Sequence, residues 1–105
     1  MPKHKQTKAT DISIETKKIV AERDSIDGHP CCILCGNPNA ACNAHVIRRS
    51  SGGKGIPENV VTLCYPCHRT YDQGKIRLEL EARIFAYMRS RYDNWDEIEL
   101  TYRKD

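Results

Sequence analysis

A small α+β fold, a metal-stapled ββα finger between flanking helices, is what these 105 residues predict. Three observations predict it. Two Cys-x2-Cys pairs, Cys32/Cys35 and Cys64/Cys67, stand 28 residues apart. Two short runs of strand character, at Ala44–Ile47 and Val60–Leu63, lead into a helical pattern from Tyr65 to Gln73. An apolar stripe of Leu80, Ile84, Phe85 and Met88 then marks a longer amphipathic helix over 78–91. With 39% hydrophobic residues, one Phe and one Trp, the chain promises a core too small to hold a domain unaided.

Residues 1–10 read as a flexible basic lead, and residues 11–105 as a single domain. Ser13 is a natural N-cap for a helix running to Arg23, whose apolar residues Ile12, Ile19, Val20 and Ile26 suggest one buried face. Asp27-Gly28-His29-Pro30 ends it, because Gly and Pro both break the pattern. The core segment, 31–73, opens with a cysteine pair and the tight loop Gly36-Asn37-Pro38-Asn39. Strand, glycine-rich loop (50–55), strand and helix follow, and the helix sets His68 and Asp72 four residues apart on one face. In the last segment, 76–105, Glu79 is spaced to pair with Arg83, and Trp95 is expected to fold back onto the helices as an anchor.

The two cysteine pairs suit zinc, which takes four thiolates tetrahedrally, each tight turn offering two of them. Cys31 and Cys42 stay outside this scheme, Cys42 as a small apolar side chain. Cys64-Tyr65-Pro66-Cys67-His68 also fits the c-type haem attachment pattern, but that reading leaves Cys32 and Cys35 without a purpose. No apolar run of secretory or membrane-spanning length follows the basic start, so a reducing, cytoplasmic setting is expected and no membrane partner. The charge of +3 is unevenly spread: residues 31–78 hold six Lys/Arg against two Asp/Glu. A basic centre predicts a polyanionic partner such as nucleic acid.

His45 in Ala44-His45-Val46-Ile47-Arg48-Arg49, Asn59 in Glu58-Asn59-Val60-Val61-Thr62-Leu63-Cys64, and Cys67-His68-Arg69, set between the cysteine pairs, resemble the HNH endonucleases in order and spacing. The resemblance implies a treble-clef-like ββα-metal fold. It implies His45 as the general base toward water, Asn59 as the residue that holds the loop and orients it, and His68 with Asp72 as ligands of a catalytic divalent metal. Mg2+ or Mn2+ suits an imidazole–carboxylate site, with Ni2+ or Zn2+ as alternatives. Cys32, Cys35, Cys64 and Cys67 are then the structural zinc ligands, and Arg48, Arg49, Lys54 and Arg69 the contacts to DNA phosphates. Many relatives carry Asp or His before the general base, where this chain has Ala44. The tail after Gly74 resembles phage-associated members, which implies a host-cell cytoplasmic setting, phage packaging proteins as partners and a monomer or transient dimer. The expected function is hydrolysis of DNA phosphodiesters by a phage or mobile-element nuclease. Its rival is a non-catalytic zinc finger that binds DNA or protein and keeps a decayed site.

Overall fold

The computed structural model describes residues 5–102; residues 1–4 of the basic lead and Arg103-Lys104-Asp105 of the tail lie outside the described residues. The lead, expected to be flexible, is helical over α1 (Lys5–Thr10), and Thr10 is buried. Helix α2 (Ile14–Arg23) starts where the N-cap signal places it, with Ser13 Oγ accepting from Thr16 N at 3.1 Å. Its inner face differs from the expected apolar stripe. Thr16, Val20 and Asp24 are buried, whereas Ile19 and Ile26 are exposed.

The reason is a buried ion pair. Arg23 forks onto Asp24 (Nε–Oδ1 2.7 Å, Nη2–Oδ2 2.9 Å) and also donates to the carbonyls of Pro57 (2.7 Å) and Val60 (2.6 Å). Asp24 in turn accepts from Thr62 N and from the Tyr87 hydroxyl. Every charged atom of the pair thus meets a partner, the condition under which burying it is tolerable. The network ties α2 to the central strand and to the C-terminal helix, so α2 docks through polar bonds rather than an aliphatic seam.

After α2, strands β1 (Ser25–Ile26) and β2 (His29–Pro30) form a hairpin whose two turn residues, Asp27 (φ 52°) and Gly28 (φ 82°), are both left-handed. That is the type I′ geometry favoured by Asp-Gly. Strands β3 (Ala40–His45) and β4 (Val60–Cys64) pair antiparallel, Ala40 opposite Cys64 and His45 opposite Val60. An extra residue bulges from β3 between Ala41 and Ala44. All five β4 residues are buried, since α2 packs on the strand as well as α3 (Tyr65–Gln73). The first strand therefore begins and ends earlier than the Ala44–Ile47 expectation, while α3 has the expected bounds.

Helix α4 (Arg77–Arg91) buries Leu80, Ile84, Phe85 and Met88, as its stripe predicts, against Val46, Val61, Leu63 and Tyr71. Each such side chain contributes roughly 1.5–3 kcal/mol. Trp95 folds back as expected, meeting Phe85 edge-on at 5.0 Å and donating to the Glu58 carbonyl at 2.8 Å. Arg83, expected to pair with Glu79, donates instead to the Leu34 carbonyl at 2.7 Å and so clips α4 to the first cysteine loop. Among the described residues no helix is long and apolar enough to cross a membrane.

Candidate zinc centre and active site

The sulfurs of Cys32, Cys35, Cys64 and Cys67 all lie within 4.8 Å of one another, and Cys35 Sγ is 3.5 Å from Cys64 Sγ. Four thiolates at about 2.3 Å from a tetrahedral ion would stand about 3.8 Å apart, so the cluster fits zinc. The first pair sits on the loop after β2, closed by Gly36 N donating to the Cys32 carbonyl at 2.8 Å. The second straddles the end of β4 and the first turn of α3. Burial pushes the Cys64 and Cys67 thiols up; neighbouring thiols push Cys67 further, while Cys67 partly opposes the rise at Cys64; at Cys32 burial also raises the pKa, but bonds from surrounding backbone N–H groups outweigh it and bring it to about 7. One ion neutralising all four relieves that conflict. The cluster is consistent with a zinc staple for the ββα finger. Cys31, buried, points its thiol to the His29 carbonyl at 3.3 Å, and Cys42 is half-buried on β3; neither joins the cluster.

His45 ends β3. Its Nε2 lies 2.8 Å from the carbonyl oxygen of Thr10. A carbonyl only accepts, so the proton sits on Nε2 and the Nδ1 lone pair is left available. Burial holds the His45 pKa below the usual 6.5, with Arg49 and His68 acting in the same direction and Asp72 and the Thr10 bond opposing. The imidazole is therefore neutral near pH 7. A cavity of about 420 Å³ is lined by His45, His68, Asp72, Arg48 and Arg49, which brings the expected base and the expected metal ligands to one opening.

Within it, His68 Nε2 is 3.0 Å from Asp72 Oδ2, one helical turn on, and both side chains are partly exposed. An imidazole nitrogen and a carboxylate oxygen this close, opening on one cavity, fit a divalent cation. Ala44 is fully buried in the core and offers no donor.

Asn59 is buried behind the site. Its Oδ1 accepts from Ile47 N (2.8 Å), while Nδ2 donates to the carbonyls of Lys54 (2.8 Å) and Ile47 (3.3 Å). Asn59 thereby staples both ends of the loop that follows His45. Two residues that sequence reasoning missed hold the same loop from below. The Tyr71 hydroxyl donates to the Val46 carbonyl at 2.7 Å, and Arg77 donates to it at 3.2 Å while lying 3.9 Å over the Tyr71 ring. Tyr71 follows Cys64 and Cys67 on the inner face of α3, a spacing that could have revealed it.

The four expected DNA contacts divide. Arg48 and Arg49 line the cavity, Arg48 donating to the Asp72 carbonyl at 3.0 Å and Arg49 pairing with Asp11. Arg69 shares an adjoining cavity with His68 and Asp72. Lys54 is engaged elsewhere, its Nζ donating to the Glu99 carbonyl at 3.0 Å.

Residues 32–81 match the family described as HNH endonuclease. Over 50 residues the chain is 34% identical to a protein named Anaredoxin from Nostoc sp., a match that covers 47% of this chain and 66% of that protein. The chain thus spans just under two thirds of the length of this relative.

Proposed function

We propose, from the match of residues 32–81 to the HNH endonuclease family, that the protein is a metal-dependent endonuclease that hydrolyses DNA phosphodiesters. The observation that carries this reading is the state of His45. It shares one cavity with His68 and Asp72, and its Nε2–H is committed to the Thr10 carbonyl. His45 Nδ1 takes the proton from the attacking water, as a neutral imidazole with a low pKa can do at physiological pH. His68 and Asp72 hold the divalent ion, which when bound supplies Lewis-acid stabilisation of the scissile phosphate and the leaving oxygen. Asn59, Tyr71 and Arg77 keep the loop after His45 in register, so that its imidazole meets water at a fixed angle. Arg48, Arg49 and Arg69 bind phosphate oxygens, and the bidentate guanidinium suits that task.

Incubation of supercoiled plasmid with the zinc-loaded protein and Mg2+, Mn2+ or Ni2+ tests the proposal. Wild type is expected to give nicked or linear DNA, and His45→Ala to lose at least about 10²-fold in rate. A wild type that shifts DNA on a gel yet leaves plasmid intact with every metal would sink the enzyme reading. The buried Ala44, which gives the ion no third side-chain ligand, would then mark a decayed site in a zinc-stapled binding module.

A further inference from the structure

The basic opening around His45 has a second arm. A cavity of about 640 Å³ shares His45 and Arg49 with the one that holds His68 and Asp72, and it is lined on the far side by Lys8, Asp11, Ser13 and Lys17. His45 and Arg49 line both cavities, so a trench through the two would pass His45. Arg49 pairs with Asp11, so the acidic group of this arm is already matched. Lys8 and Lys17 are exposed, and among the described residues neither makes an ion pair. Ser13 is the N-cap of α2, so the positive end of a ten-residue helix abuts the same arm.

A strand cut at His45 continues on both sides of the cleaved bond. The arm at His68 and Asp72 meets it with Arg48 and Arg49; the opposite arm shares Arg49, already paired with Asp11, and adds Lys8 of α1 and Lys17 of α2. We propose that Lys8 and Lys17 form a phosphate-binding arm that holds the nucleic-acid strand on the far side of His45. Both lysines lie outside residues 32–81, the segment that matches the family. The joint is well seated for that work: Gly55 N donates to the Ala9 carbonyl at 2.9 Å, and the Thr10 carbonyl receives His45 Nε2. The same segment would then set the base and grip the substrate.

The inference rests on the nuclease reading, and salt dependence separates the two. Affinity for a short DNA duplex is measured against salt concentration in a His45→Ala background, which binds without cutting, for Lys8→Ala, Lys17→Ala and the double variant. Lys18→Ala is the control: it removes the same charge from an exposed position of α2 that does not line the trench. Each trench variant is expected to weaken binding several-fold and to flatten the slope of log K against log salt by about 0.9. Lys18→Ala is expected to leave both unchanged. The phosphate arm is overturned if the double variant keeps the full slope, or if Lys18→Ala costs as much as its neighbours. If wild type still cuts plasmid in that event, the nuclease reading stands without the arm; if wild type neither cuts nor binds DNA, both fall.

Discussion

At His45 one hydrogen bond decides which nitrogen can act. The Thr10 carbonyl fixes the Nε2–H tautomer, and burial lowers the pKa, so the base form is already populated at neutral pH. A cation at His68 and Asp72 would lower it further. The rate of plasmid cleavage is therefore expected to be flat through neutrality and to fall only in acid, as Nδ1 becomes protonated, with the midpoint of that limb below 6.5. A pH–rate profile with its limb above 6.5 would contradict this assignment. Two buried polar residues one turn of strand apart behave oppositely. Asn59→Ala would leave Ile47 N–H and the Lys54 carbonyl buried without partners, and is expected to cost about 2–4 kcal/mol in urea unfolding. Thr62 Oγ1 is buried with no partner among the described residues, so Thr62→Val should stabilise by about 1 kcal/mol in the same assay. His45, Asn59 and His68 were singled out in sequence through their resemblance in order and spacing to a family. Thr10 was not, since it acts through a backbone carbonyl that any residue possesses.

Among the elements, the joint between α1 and α2 carries the largest difference from expectation. Composition made residues 1–10 a flexible basic lead, yet Thr10 is buried, and the backbone at Asp11 lies against Gly55 so closely that a Cβ there would come within 2.0 Å of the Asp11 carbonyl oxygen. Gly55→Ala must push the joint away and release His45 Nε2. Its kcat is expected to drop by about 10²-fold while circular dichroism shows the helices intact, and nitrogen NMR of His45 should show a mixture of tautomers in place of one. Unchanged kcat would mean that the Thr10 bond is incidental. Helix α4 was readable because its inner face is apolar at helical spacing. Helix α2 was only half readable. Arg23-Asp24 at its end looks like a surface pair in sequence, and only the tertiary fold supplies the Thr62, Tyr87, Pro57 and Val60 groups that make it a core element.

For the molecule as a whole, the decisive quantity is how little apolar material it has. The core is one cluster around Val61, Leu63, Tyr71, Ile84 and Met88, and two of the zinc cysteines, Cys32 and Cys64, are part of it. A zinc held there and the core would be one cooperative unit, since losing the ion leaves thiolates with no counter-charge at the edge of the core. Treatment with a strong chelator is expected to abolish helical circular dichroism and cleavage together, and added zinc to restore both. Helicity that survives verified zinc removal would show that the core suffices alone. The ββα order was predictable from two strand-like runs and a helical pattern, and the sulfur cluster from two cysteine pairs; what clamps the loop after β3 was not, because its partners are far away in the chain.

That loop is fastened by both flanks of the protein. Ala9 accepts from Gly55, whereas Leu100 accepts from Lys54 and Tyr102 donates to Gly52 at 2.6 Å. During synthesis the His45 loop can meet its first clasp early, but the second exists only after residues 100–102 have left the ribosome. The loop after β3 is thereby closed in two stages, from the N-terminal side first and by residues 100–102 last.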